Sequence, residues 1–221
     1  KFGWYNRNTG YNPITREGKK TCGLEIAEQF LWEPPDYVFV SVGDGNIISG
    51  IWKGLKDAKS LGLIDKLPRM VAVQSEKSNA IASAVKKFQS SHDKEKNFQV
   101  KIEPVRATTI ADSISVDMPR DGVAAVKAVI ESGGFAVEVS DDEIISAISL
   151  TARTTGVFPE PAGATSVAGL KKVSSEIKDS ERALCVVTGS GLKDINAAIK
   201  SVRSEPPVIP PDINELSRLV G

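Results

Sequence analysis

The stretch Val38-Phe39-Val40-Ser41-Val42-Gly43-Asp44-Gly45-Asn46-Ile47-Ile48-Ser49-Gly50 constrains this chain more than any other. An apolar run ends in a glycine-rich turn, and a helix-like pattern follows at once. The segment therefore reads as a strand, a tight loop and a helix. Gly43 and Gly45 tolerate positive φ and allow close backbone approach. The free N–H groups of such a loop and of the helix start converge on one spot, where a phosphate can sit. A glycine turn after a strand is more often only a turn, so the anion-site reading needs support from elsewhere in the chain.

Short apolar runs alternate with longer amphipathic stretches. The strand candidates are Tyr37–Val42, Met70–Gln74, Gly134–Val139 and Leu184–Thr188. Their apolar residues are consecutive rather than alternating, as in strands buried on both faces. Helical patterns cover Glu17–Phe30, Ile47–Leu61, Asn79–Phe88, Asp121–Ser132, Asp141–Thr155, Ala162–Ile177 and Asp194–Ser201. Ser140-Asp141-Asp142-Glu143 sets a cap residue and acids at a helix start, where the macrodipole favours them. Glu205-Pro206-Pro207-Val208-Ile209-Pro210-Pro211 cannot be helical, and Leu216, Leu219 and Val220 predict a short terminal helix after it. The alternation predicts an α/β protein, a mainly parallel sheet with helices on both faces. Ligands of such sheets bind beyond the carboxyl ends of the strands. The loops at 43–46 and 189–191 follow two of these strands, so both are expected at one edge of the sheet.

Composition narrows the function classes. Lys plus Arg and Asp plus Glu both number 28, so no basic excess points to nucleic acid. No apolar run approaches the roughly 20 residues that span a bilayer. The start, Lys1-Phe2-Gly3-Trp4-Tyr5, is neither a signal peptide nor an initiator methionine, so the chain is expected to begin inside something longer. Cys22 and Cys185 fit no metal-ligand spacing, and Cys185 reads as a buried strand residue. Two reduced thiols suit a cytoplasmic protein. His92, the sole histidine, sits in a polar run and reads as an exposed loop residue, which argues against a histidine triad or a histidine-built metal site.

Two further stretches carry chemistry. In Phe158-Pro159-Glu160-Pro161-Ala162-Gly163-Ala164 a turn opens into a small-residue helix suited to close packing. Glu160, held between two prolines, is positioned rather than free; capping N–H groups and supporting a site are equally good readings of it. In Val186-Val187-Thr188-Gly189-Ser190-Gly191-Leu192-Lys193-Asp194 a strand ends in Thr-Gly-x-Gly before a helix. Thr188 offers one hydroxyl at the strand end; by itself it is an ordinary strand-end residue.

Together the three stretches resemble fold-type II enzymes that use pyridoxal 5'-phosphate, in which the same motifs occur in this order. The Thr188–Asp194 run, and Asn12-Pro13 followed by Glu17-Gly18-Lys19-Lys20-Thr21, are similar to threonine synthases in particular. The resemblance covers about Trp4 to Asp194. It implies that Gly43, Asp44, Gly45, Asn46 and Ile47 hold the cofactor phosphate and that Thr188 hydrogen-bonds the pyridine nitrogen. A neutral hydroxyl there does not force protonation of the ring. It also implies a cytoplasmic homodimer acting on a small amino-acid phosphoester, O-phosphohomoserine, with Asn6, Asn12, Thr15 and Arg16 near the substrate phosphate and Glu160 in support. Residues 1–16 would return from the smaller domain, and the rest would belong to the large cofactor-binding domain.

The chain departs from that pattern in three ways. Its phosphate loop is one residue shorter than the usual G-N-A-G-N and carries Asp44, an acid tolerable beside a phosphate only if its side chain points away. Thr15 stands where relatives have an arginine, with Arg16 next to it. The lysine that bonds the cofactor lies in an S-x-K-D-R-type segment of the N-terminal half, and no such segment occurs here. The chain thus resembles the C-terminal portion of such an enzyme, unable alone to bond the cofactor. Lys19 and Lys20 read as lying on a polar helix face, and Lys193 as starting a helix. The alternatives are another enzyme of the fold, a threonine dehydratase (Thr108-Thr109-Ile110-Ala111-Asp112-Ser113-Ile114 is similar to a stretch of that family) or a cysteate synthase-like enzyme, and a non-catalytic half that binds its missing partner half.

Overall fold

The computed structural model describes residues 2–91, 100–202 and 208–220. His92 and Glu205–Pro207 lie outside them. Four strands, β1 (Tyr37–Ser41), β2 (Arg69–Ser75), β3 (Phe135–Val139) and β4 (Ala183–Val186), form one sheet in the order β3-β2-β1-β4. Every pairing is parallel, with Val40 opposite Ala72 on one side and Val186 on the other. The helices are α1 (Pro13–Gly18), α2 (Lys20–Gln29), α3 (Asn46–Ser60), α4 (Ala80–Ser90), α5 (Gly122–Glu131), α6 (Asp141–Thr155), α7 (Pro161–Lys172), α8 (Ile195–Ser201) and α9 (Ile213–Val220).

The consecutive apolar residues of the strands are explained by two cores. Val38, Val40, Met70 and Ala72 pack under α2, α3, α4 and α5. Phe39, Val71, Val73, Val137 and Val139 pack under α6, α7 and α8. All five residues of β1 are buried. At the end of that strand the Gln74 amide donates to the Val42 carbonyl (3.0 Å) while its oxygen accepts from the Ala82 N–H of α4 (2.8 Å). A buried glutamine is thus fully paired, and it fixes where β1 gives way to the loop.

Some boundaries differ from the sequence expectation. The helix expected over Glu17–Phe30 is two helices. Asn12 caps the first through its side chain, Pro13 starts it, and Lys19 separates it from α2. A proline at the first helical position has a pre-set φ and no N–H to waste. The helix expected over Ala162–Ile177 stops at Lys172 and is followed by a 3₁₀ turn at Ser174–Glu176. β4 ends at Val186 rather than Thr188. Its partner leans away there: the Val42 N–H bonds to Val73 of β2 (2.9 Å), and Ser166 donates to the Val186 carbonyl (3.0 Å). Cys185 is half-buried rather than buried, because β4 is an edge strand paired only with β1 among the described residues.

Candidate functional site

The chain lays β2 and β3 to one side of β1 and then crosses back to lay β4 on the other. The strand order reverses between β1 and β4, and a crevice opens there at the carboxyl ends, as in other open α/β sheets. A cavity of about 270 Å³ occupies it. Its walls are the 42–48 segment, Ser113 and Ile114, Glu160 and Ala162, Thr188 and Lys193, with Thr9 and Lys19 closing one side. The two glycine loops therefore meet at one edge of the sheet.

The first wall is the β1–α3 loop. Gly45 is the N-cap of α3 at φ +91°, a conformation that costs a residue with a side chain about 1–3 kcal/mol. A Cβ there would also sit 2.7 Å from Ala125 Cβ and 2.9 Å from the Asp121 carbonyl. No side chain caps α3. Among the described residues, no acceptor takes the N–H groups of Gly43, Asp44 or Gly45, and those of Asn46 and Ile47 begin the helix. Five N–H donors are thus left for an anion.

Asp44 does not oppose that anion. Its carboxylate accepts the Arg120 N–H (2.9 Å) and its carbonyl the Asp121 N–H (3.0 Å), so the acid is turned toward the turn before α5. Asn46 is buried and its amide nitrogen donates to the Thr9 carbonyl (3.1 Å) and to Asp121 (2.8 Å). Asp121 also takes the Ser49 hydroxyl (3.3 Å) and pairs with Arg16 (3.2 Å).

The second wall is zipped from two loops. The Glu160 N–H donates to Gly189 (2.9 Å), the Gly191 N–H donates to Phe158 (2.8 Å), and Pro159 forms an antiparallel bridge with Ser190. This brings the buried Glu160 carboxylate to the Lys193 ammonium at 2.9 Å. Thr188 is exposed at the cavity, and its hydroxyl has no hydrogen bond among the described residues. The back wall carries the Thr108–Ile114 segment. Thr109 donates to Asp141 at the start of α6 (2.6 Å), as does Lys77 (2.8 Å). Burial pushes the Asp141 carboxyl up, but these hydrogen bonds outweigh it and hold the group below its usual range.

The remaining candidates from the sequence do not join the cavity. Asn12 caps α1 and donates to Tyr5 and Asn6, the Asn6 side chain accepts the Asn8 N–H, and the Thr15 hydroxyl donates to Thr9 and Asn12. Arg16 is spent on Asp121. Conversely, Lys19 and Lys193, read as ordinary helix residues, both line the cavity. Lys20 keeps that ordinary role, pairing with Glu17 and Asp57. Lys19 is delivered by close packing: a Cβ on Gly50 of α3 would sit 2.6 Å from its own Cβ. Burial pulls the Lys19 ammonium below its usual pKa, and the charges of Asp121 and Asp44 partly offset this. Both lysines fall inside the motif segments quoted above, but neither motif signalled a place in the cavity, because both placements follow from contacts between distant segments.

Among the described residues no helix is long and apolar enough to cross a membrane, and no cluster of side chains suits a metal ion. Comparison with known proteins identifies the family. A threonine synthase of Methanocaldococcus jannaschii is 41% identical over 211 residues, covering 95% of this chain and 50% of that protein. One from Methanosarcina acetivorans is 36% identical over the same shares. The chain thus spans about half the length of these relatives. In fold it is similar to threonine deaminase isoform 2 of Solanum lycopersicum (TM-score 0.67, 19% identity, covering 86% of this chain and 50% of that one). It is also similar to maize serine racemase (TM-score 0.62, 20% identity, covering 85% and 53%). The model of the pyridoxal-phosphate dependent enzymes matches residues 1–189, and the chain belongs to that family.

Proposed function

We propose that the full-length protein containing this chain is a threonine synthase, which converts O-phosphohomoserine and water to threonine and phosphate. The observation that carries the reading is the 41% identity to a threonine synthase across 95% of the chain. The cavity suits the family's cofactor. It offers uncapped N–H groups at a glycine-fixed helix start for a phosphate and a free hydroxyl, Thr188, on the opposite wall for a ring nitrogen. When bound, pyridoxal phosphate supplies the electron sink for carbanions formed next to the substrate's amino group.

In this reading the N–H groups of Gly43, Asp44, Gly45, Asn46 and Ile47 hold the cofactor phosphate. Thr188 would orient the ring with one neutral hydrogen bond, which does not force protonation of its nitrogen and makes the sink milder. Glu160 sets the Thr188 loop through its backbone bond to Gly189 and its pair with Lys193. The lysine that bonds the cofactor is supplied by the half of the protein outside this chain, which also completes a cytoplasmic homodimer. Asn6, Asn12, Thr15 and Arg16 are engaged in their own contacts outside the cavity lining, and the substrate assignment does not rest on them.

The test is turnover by the full-length protein loaded with pyridoxal phosphate. Release of phosphate and threonine from O-phosphohomoserine is expected. No reaction with that ester, with 2-oxobutyrate formed from threonine instead, would replace the reading by a threonine dehydratase. Turnover of neither would leave a binding protein.

A further inference from the structure

The cavity contains two polar groups of opposite kind, each without a partner. The Asn46 amide nitrogen faces two acceptors, the Thr9 carbonyl and Asp121. This fixes which end of the amide is oxygen. That oxygen, Oδ1, is buried and accepts no hydrogen bond among the described residues. Lys19 lines the same cavity, and among the described residues its ammonium has neither an ion pair nor a hydrogen bond.

The neighbouring charges have other direct partners, and Asp121 and Asp44 act on Lys19 only through space. Arg16 is paired with Asp121, Lys193 with Glu160, and the Asp44 carboxylate takes the Arg120 N–H. A half-buried ammonium with no bonded counter-ion has lost hydration that two acids at a distance only partly replace, and a bound anion would restore the balance. The uncapped start of α3 attracts the same class of ligand. Lys19 is not a chance visitor to this place. Gly50 lets its backbone press against α3 one turn beyond Asn46, at the junction between α1 and α2.

We infer that Lys19 is an anion-binding residue of this cavity, its ammonium bridging Asn46 Oδ1 and a phosphate monoester seated at the start of α3. The inference rests on reading the cavity as the cofactor site. Two phosphates share the chemistry, that of the cofactor and that of the substrate, and binding experiments separate them.

The experiment compares full-length wild type with Lys19→Met and Lys19→Arg. Dissociation constants are measured for pyridoxal phosphate, for unphosphorylated pyridoxal, and for inorganic phosphate added to the cofactor-loaded protein. Loss of one charged hydrogen bond predicts roughly a ten- to hundredfold weakening in Lys19→Met, largely restored in Lys19→Arg. If the anion is the cofactor's, pyridoxal phosphate weakens and pyridoxal does not. If it is the substrate's, inorganic phosphate weakens on the loaded protein and the cofactor does not. The ligand-free melting temperature of Lys19→Met should not fall, since the ammonium loses no partner. Unchanged affinity for both phosphates overturns the inference. So does an equal loss for pyridoxal and pyridoxal phosphate together with a lower ligand-free melting temperature, which would make Lys19 structural. Failure of wild type to bind pyridoxal phosphate would sink the cofactor reading instead, and inorganic phosphate titrated into the cofactor-free protein would then decide Lys19.

Discussion

The two walls of the cavity are built to different standards. The Gly43–Ile47 wall follows a central strand that is buried throughout and paired on both sides, and it leads into a 15-residue helix. The Thr188–Lys193 wall follows a half-exposed edge strand and leads into a 3₁₀ turn and a seven-residue helix. The first wall is held by backbone geometry in the core. The second is held by a few polar contacts, chief among them Glu160 with Lys193. Under the proposed function the rigid wall would take the cofactor phosphate and the more exposed wall would face the ring.

The largest expected effect comes from breaking the rigid wall. Gly45→Val forces a β-branched side chain into positive φ and against Ala125 and the Asp121 carbonyl. Strain and overpacking together should cost about 2–5 kcal/mol. Chemical denaturation should show that loss, and pyridoxal phosphate binding should be abolished. A variant with near-normal stability and affinity would mean that the loop is not the rigid element described here.

The more exposed wall should respond less. Lys193→Met leaves the buried Glu160 carboxylate without its partner, yet the Lys193 side chain is 60% exposed and screened. A loss of about 1 kcal/mol is expected, far below the usual cost of breaking a fully buried pair. Calorimetry on the two variants gives the comparison directly. If Lys193→Met costs as much as Gly45→Val, the walls are equally rigid and the contrast is wrong.

How much of this was readable in the sequence follows the same division. The first wall was legible almost to the residue, because a run of apolar residues and two glycines encode it locally. Helix α6 was legible end to end for a similar reason, its Ser140–Glu143 capping box being local. Thr188 was legible as a motif but sits two residues beyond the strand that was expected to end on it. The Glu160–Lys193 pair, the Asp121 network that claims Arg16, and the entry of Lys19 were not legible. Each joins segments far apart in the chain, and no periodicity records such contacts. The split of one expected helix at Lys19 had a local signal in Asn12-Pro13, a cap followed by a first-turn proline.

An effect of the same size, but dependent on pH, probes the back wall. Because hydrogen bonds hold Asp141 below the ordinary carboxylate range, its contribution is present above the unfolded value, near 3.8, and is lost as pH falls through the lower folded value. At pH 7, Asp141→Asn should cost about 1 kcal/mol. Urea midpoints of wild type and variant should converge as pH drops below about 3.8. A gap that stays constant with pH would assign the cost to shape rather than charge.

The most direct test of the cofactor site is an amide titration of the isotope-labelled protein with pyridoxal phosphate. The N–H signals of Gly43, Asp44, Gly45, Asn46 and Ile47 should shift most, with a smaller shift at Thr188. Shifts confined to another surface, such as the hollow of about 430 Å³ between Tyr11 and Arg120, with the 43–47 amides unmoved, would contradict it.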